Sequence, residues 1–306
     1  MALIARLTLT GPDTSDPEDF LSSSLGVIFP DDVTNQHGDA DHGLLYTSPH
    51  LPRPLQISLA QVSAEKDRHL FSHYLWNSSL LLAELIESGT LRLSTTETDK
   101  ERSFDVSGLS TIELGAGTAL PSVMGGLLGA KRVVVTDYPA PPVIKTLREN
   151  VTSLIKVENA PAGKFDVKEV KVDGHGWGDF DTELAMEYKH QFDRVYVADC
   201  LWMPWQHENL RRSIEWFMGE GEDARAWVVA GFHTGREKMA PFFDADKLRT
   251  IGLEVEKIWE RDCDGVDREW VTDRGVEDSS VRKRWLVVGV LRRIRKQETG
   301  FEGEGR

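Results

Sequence analysis

An α/β fold built on a mostly parallel, Rossmann-like sheet is what this chain predicts, and three observations predict it. Residues 109–114 form a short, apolar, partly β-branched run that breaks at Gly115, as a buried strand does before a turn. The stretch Thr111-Ile-Glu-Leu-Gly-Ala-Gly-Thr-Ala-Leu-Pro121 then enters a helix whose apolar face is carried by Val123, Met124, Leu127 and Leu128 and which closes at Gly129. A second strand, Arg132-Val-Val-Val-Thr-Asp-Tyr138, follows and ends on Asp137. Strand, glycine turn, helix, strand is the opening βαβ unit of such a sheet.

From the N-terminus, residues 1–70 are rich in Pro, Asp, Ser and His, with little periodicity beyond Phe20–Phe29, and read as an extension lying over the domain. His37, Asp39, Asp41 and His42 read as a solvated polar loop rather than a metal cluster. Residues 44–46 and 55–59, separated by Pro49, Pro52 and Pro54, suggest a short added hairpin. From Phe71 the pattern turns helical: Leu75, Ser79, Leu82, Leu85 and Ile86 share a face, Trp76 sits in the first turn, and Gly89 closes the segment. Residues 91–108 are charged and Ser/Thr-rich, as in a surface loop.

Beyond the second strand, residues 138–142 are a proline-stiffened turn and Val143 to Ile155 a helix with Val143, Leu147, Val151 and Leu154 on one side. Residues 167–172 alternate as a third strand and run into Asp173-Gly-His-Gly-Trp-Gly178. Three glycines around Trp177 suit a turn that presents an indole for stacking on a purine; a surface turn over a buried tryptophan is the other reading. Residues 192–199 form the fourth strand, 206–218 a helix, 225–232 the fifth strand, and 235–250 a helix interrupted at Pro241. Residues 253–261 and 283–293 are long strands joined by an Asp-rich loop, the shape of a terminal antiparallel pair. Five strand-helix units and a hairpin describe a seven-stranded sheet with its last strand antiparallel. The folded domain then spans residues 71–296, and the Gly/Glu/Arg tail 297–306 is expected to be disordered.

Glycines at 115 and 117 permit positive φ and leave no Cβ in the way, so a flat ligand can approach the main chain. Asp137, at the carboxyl end of its strand, is placed to accept hydrogen bonds from ribose hydroxyls. A dinucleotide loop calls for a third glycine where Leu120 stands, and Glu113 sets a negative charge beside the loop that disfavours a pyrophosphate. A ligand bearing a cationic amino group and a sulfonium fits better. The Glu-Leu-Gly-Ala-Gly loop therefore reads as an S-adenosylmethionine loop; a bare strand-to-helix turn is the alternative, and the position of Asp137 argues against it.

With 306 residues and 40% hydrophobic content, the chain can bury a large core. Its formal charge of −14, from 36 basic and 50 acidic residues, argues against a nucleic-acid partner held by many phosphate contacts and suits a basic protein or a small cation. Cys200 and Cys263 are too far apart in sequence for metal-ligand spacing, so neither a zinc site nor a disulfide framework is indicated. No window approaches a transmembrane span, and a soluble cytoplasmic monomer is expected.

Taken together, His73-Tyr-Leu-Trp-Asn77, residues 112–121, Val135-Thr-Asp-Tyr-Pro139, Trp177, Ala198-Asp-Cys-Leu-Trp202 and His233-Thr-Gly-Arg-Glu-Lys238 resemble the fungal branch of the family-16 seven-strand methyltransferases, the nicotinamide N-methyltransferase-like proteins. The likeness runs from about residue 15 to residue 293. It is strongest to the branch that modifies the N-terminal amine and an adjacent lysine of translation elongation factor 1-alpha. The resemblance implies a class I methyltransferase sheet and S-adenosyl-L-methionine as cofactor. It implies that Gly115, Ala116 and Gly117 line the methionine portion, Asp137 grips the ribose, Trp177 lies against adenine, Ala198 touches the cofactor from the fourth strand, and Trp76 covers it. Related enzymes carry Asp-x-x-Phe or Asp-x-x-Tyr after the fourth strand. Here Asp199-Cys-Leu-Trp202 keeps the aromatic face and drops the phenol, leaving a cation–π wall. Asp199 is expected to hydrogen-bond the incoming amine, with a turn acid as the alternative. Two other functions compete: a small-molecule, nicotinamide-type N-methyltransferase, and a cofactor-binding scaffold without turnover.

Overall fold

The computed structural model describes residues 2–10, 35–38, 43–61, 74–93 and 103–295. The expectations for residues 11–34, 39–42, 71–73, 94–102 and the tail lie outside these residues.

Strands β6 (Ser110–Leu114), β7 (Arg132–Asp137), β8 (Glu169–Gly174), β9 (Arg194–Ala198) and β10 (Arg225–Gly231) are mutually parallel, in the order β8-β7-β6-β9-β10. The β11 strand (Leu253–Asp262) and β13 (Trp285–Arg293) complete the seven expected strands, with β13 inserted antiparallel between β10 and β11. An eighth, β12 (Asp267–Glu269), pairs along the outer edge of β11, inside the loop expected to be irregular. The chain winds outward from β6 in one direction and from β9 in the other. The crevice between the carboxyl ends of β6 and β9 is therefore the switch point at which open α/β sheets bind ligands.

Period-two alternation divides the sheet residues between two cores. Val133, Val135, Tyr196, Trp227 and Val229 join one apolar cluster, while Val134, Val195, Val197, Ala226 and Val228 join the other. On the first face lie α1 (Asn77–Leu91), α2 (Leu120–Leu127) and α3 (Pro141–Leu154). The second carries α4 (Glu183–Glu187), absent from the sequence expectation, and α5 (His207–Phe217). Among the described residues no helix is long and apolar enough to cross a membrane.

Three boundaries differ from expectation. The first helix starts at Asn77 because Leu75–Trp76 (β5) instead pairs with Gln36–His37 (β2), and it runs through Gly89 to end at Arg92 with φ 56°. Leu80, Leu81, Leu82, Leu85 and Ile86 are all buried, so this helix is covered nearly all round rather than along one stripe. The end of the 91–108 segment is core: Phe104 and Val106 are fully buried, and Phe104 packs on Trp227 at 4.7 Å between centroids. Two arginines at the end of β13 are ion-paired, Arg292 to Glu254 at 2.8 Å and Arg293 to Glu215 at 2.7 Å.

Strands β1 (Leu7–Thr10), β3 (Gly43–Tyr46) and β4 (Leu55–Ile57) form a separate antiparallel sheet. Arg6 fastens it to α1: the buried guanidinium contacts Glu87 at 3.1 Å, Glu84 at 3.2 Å and the Tyr46 hydroxyl at 3.2 Å. On β11 the fully buried Glu260 receives Arg236 at 2.6 Å, Arg268 at 2.6 Å and Arg274 at 3.3 Å. These three guanidiniums tie the turn after β10 and the β12 region to β11.

Candidate active site

The site grows from the end of β6. Gly115 and Ala116 both donate their amides to the Thr136 carbonyl at 3.0 Å, and the Gly117 amide donates to Asp137 Oδ2 at 2.8 Å, so the loop is stitched to the end of β7. Gly115 and Gly117 have φ of 72° and 55°, a region where a side chain is strained. A Cβ on Gly115 would lie 2.7 Å from Cys200 Sγ and 3.0 Å from Trp177 Cζ2. The loop backbone is thus the floor of a cavity with the Trp177 indole beside it.

Asp137 is buried, its Oδ1 accepting from the Tyr138 amide at 2.7 Å. Each carboxylate oxygen therefore holds one hydrogen bond and keeps a further lone pair. Burial, opposed by the bonds from Gly117 and Tyr138, pushes its pKa up to about 6. Glu113 behaves differently from the sequence expectation. Strand alternation turns its side chain under α2, where it accepts from the Ser122 amide at 3.0 Å and the Ser122 hydroxyl at 2.5 Å, fully buried. Burial raises its pKa to about 8 against the opposing Ser122 bonds, so at neutral pH it carries a proton and ties β6 to α2 rather than presenting charge to a ligand.

The remaining wall comes from β9, the turn after β8, and the start of α1. Asp199 follows β9 with φ 60°, a conformation costing a non-glycine residue about 1–2 kcal/mol. Its Oδ1 is held by the Ser78 hydroxyl at 3.1 Å and the Gly231 amide at 3.1 Å, with His233 Nδ1 4.0 Å away; no described residue hydrogen-bonds its Oδ2. Trp76 stacks on the His233 ring at 5.0 Å between centroids. His175 stands two residues before Trp177 and is buried, its Nε2 3.4 Å from Ser213 Oγ. Burial lowers its pKa to about 4, so the ring is neutral at physiological pH. The Cys200 thiol is buried against the loop and pushed far up by desolvation, which leaves it unreactive.

One cavity collects Trp76, Gly115, Ala116, Gly117, Asp137, Trp177, Ala198, Asp199 and Trp202, nine of the ten residues singled out in the sequence; Glu113 lies outside its lining. Thr118, His175 and Ser79 also line it and were missed. Thr118 follows the glycine loop directly and His175 sits inside the flagged glycine-rich turn, so position alone offered a hint. Their significance rests on three-dimensional detail: Thr118 Oγ1 and His175 Nδ1 are buried without a hydrogen-bond partner. Buried polar atoms in native proteins are seldom left so, and both sit in the cavity wall.

Comparison with known proteins gives a consistent picture. A family model described as lysine methyltransferase matches residues 61–247. The chain is 29% identical to the Protein N-terminal and lysine N-methyltransferase EFM7 of Gibberella zeae, over 72% of this chain and 82% of that protein. To the protein of the same name from Yarrowia lipolytica it is 30% identical, over 62% of this chain and 68% of that one. Among solved structures, the SAH complex of SMU.776 superposes with a TM-score of 0.50 at 9% identity, covering 90% of this chain and 65% of that one, a likeness of fold alone.

Proposed function

The chain belongs to the lysine methyltransferase family, and on that premise we propose that it transfers a methyl group from S-adenosyl-L-methionine to the N-terminal amine and an adjacent lysine of translation elongation factor 1-alpha, as a cytoplasmic monomer. The names of the relatives support protein N-terminal and lysine methylation. The elongation factor follows from the resemblance of the site motifs.

A cofactor of the S-adenosylmethionine type fits the residues present. The cradle at Gly115 leaves no room for a Cβ, and the orphaned Thr118 Oγ1 and His175 Nδ1 await polar partners. Gly115, Ala116, Gly117, Asp137, Trp177 and Ala198 would hold it, with Trp76 closing the cavity. When bound, S-adenosylmethionine supplies an activated methyl group on a sulfonium. The protein has to position an amine for in-line attack and exclude water.

The observation that carries this proposal is the composition of the wall among the described residues: two carboxylates, Asp137 and Asp199, three indoles, Trp76, Trp177 and Trp202, and no lysine or arginine. Such a wall suits a cationic ligand and an amine substrate, and repels phosphate. Ser78 and Gly231 fix one oxygen of Asp199 and leave Oδ2 to accept a hydrogen bond from the incoming amine. Trp202 offers an apolar face to its methylene groups and to the positive charge that develops on nitrogen. The surplus ammonium proton leaves to water before attack, so no dedicated base is required.

The direct test incubates the full chain and labelled S-adenosylmethionine with unmethylated elongation factor 1-alpha, and in parallel with nicotinamide, then locates the label by peptide mass spectrometry. Label in the N-terminal peptide is expected; label in nicotinamide alone, or none while S-adenosylhomocysteine binds, overturns the proposal. Asp199→Asn tolerates the left-handed backbone and keeps the oxygen held by Ser78 and Gly231, but can turn the free acceptor into a donor. Its turnover should fall about tenfold or more with cofactor affinity unchanged, since a charged hydrogen bond is worth about 1.5–3 kcal/mol. Wild-type turnover in Asp199→Asn would remove that role.

A further inference from the structure

Beside the active-site cavity lies a second concavity of about 460 Å³, lined by Trp205, Glu208, Arg211, Arg212 and Lys247 among others. Its charge is opposite to that of the chain as a whole: three cations against one carboxylate, on a protein of formal charge −14. Arg211 is 7% exposed. Its guanidinium donates only to the carbonyls of Pro241 at 3.3 Å and Phe242 at 3.4 Å, and no carboxylate lies within 4.0 Å of it among the described residues. Glu208 and Asp244 act on it from further away. Buried cations are ordinarily paired, so this one lacks full compensation where the groove meets it. Arg212, held over the Phe180 ring at 5.2 Å, and the exposed Lys247 add to the same field.

The groove adjoins the chemistry. Residues 202–206 wall the active-site cavity through Trp202, Met203 and Gln206, and the groove through Pro204 and Trp205. The Trp202 and Trp205 rings meet edge to face, 6.3 Å between centroids, and Trp205 is 71% exposed. A large indole left in water at the lip of a reactive cavity is the kind of anchor that binding surfaces use.

We propose that this groove docks an acidic segment of the protein substrate, so that a peptide whose amine lies beside Asp199 and Trp202 runs over Trp205 and sets its carboxylates against Arg211, Arg212 and Lys247. This rests on the protein-methylation proposal above and adds the chemistry by which the substrate is selected. A nucleic-acid strand is disfavoured, because three cations cannot offset the acidic surface that a longer phosphate backbone would meet.

Fluorescein-labelled hexaglutamate, hexaserine and oligouridylate serve as probes for anisotropy titration of the full chain at low salt. Arg212→Glu and Lys247→Glu are the variants, because both side chains are exposed and neither lines the active-site cavity. Wild type should bind hexaglutamate in preference to both other probes. The double variant should bind it about tenfold or more weakly while retaining wild-type affinity for S-adenosylhomocysteine. Equal binding of hexaserine, tighter binding of oligouridylate, or an unchanged double variant overturns the proposal. In methyl-transfer assays the double variant should raise KM for the protein substrate with kcat preserved. Wild-type KM in that variant overturns the docking role alone, whereas a wild-type enzyme that labels no protein overturns the proposed function and the docking role with it.

Discussion

Asp137→Asn separates the stability of the fold from the binding of its ligand, and the two should move in opposite directions. The Asp137 carboxyl titrates at about 6 in the folded chain against 3.8 in its absence. A carboxyl whose folded value is raised holds its proton more tightly when folded, so wild type loses stability as pH rises from 3.8 through about 6. The full difference is about 3 kcal/mol, at 1.36 kcal/mol per pH unit, of which about 2 kcal/mol falls between pH 4.5 and 7.5. Asparagine has no such titration. The stability of Asp137→Asn relative to wild type, from urea unfolding at those two pH values, should therefore rise by about 2 kcal/mol, whatever its offset from the acceptor lost by Gly117 or Tyr138. Ligand affinity should fall instead. On the proposed role of Asp137 as acceptor for the ribose hydroxyls, losing the charged acceptor weakens S-adenosylhomocysteine by about 2 kcal/mol, roughly 30-fold. Wild-type affinity by calorimetry should decline as pH drops below 6, while Asp137→Asn stays flat. A constant stability gap across pH, or unaltered ligand affinity in the variant, refutes the assignment.

Gly115→Ala places a methyl 2.7 Å from Cys200 Sγ at φ 72°. It should cost about 2–5 kcal/mol from backbone strain and overpacking and weaken S-adenosylhomocysteine more than about tenfold; adding Cys200→Ala should recover the part of the steric cost owed to the thiol but neither the contact with Trp177 nor the strain, as read by thermal unfolding and calorimetry. Glu260→Ala leaves Arg236, Arg268 and Arg274 without their shared buried partner and should destabilise the fold by about 3–5 kcal/mol in chemical unfolding.

Much of the site was legible in the chain because the residues that form it are clustered in short motifs at strand ends. The glycine loop, Asp137, and the run from Ala198 to Trp202 each lie where an apolar, β-branched run breaks off, and that break marks the end of a strand. Glu113 was misplaced because alternation gives the face a side chain takes but not what lies behind that face; here it is Ser122 at the head of α2. The first helix was begun too early because Leu75–Trp76 is apolar in either state, and only its pairing with Gln36–His37 makes it extended.

The chain by itself determined the order of the seven main strands, the antiparallel ending and the identity of nine cavity residues, because these depend on local patterning and on backbone freedom at particular glycines. Tertiary structure alone decided which polar atoms are left without partners, which carboxyls hold a proton, and where an acidic surface turns cationic. Those properties arise from burial and from neighbours distant in sequence, as with Arg211 beneath Pro241 and Phe242. No local pattern records the dielectric or the partners that a side chain meets once the chain has closed around it.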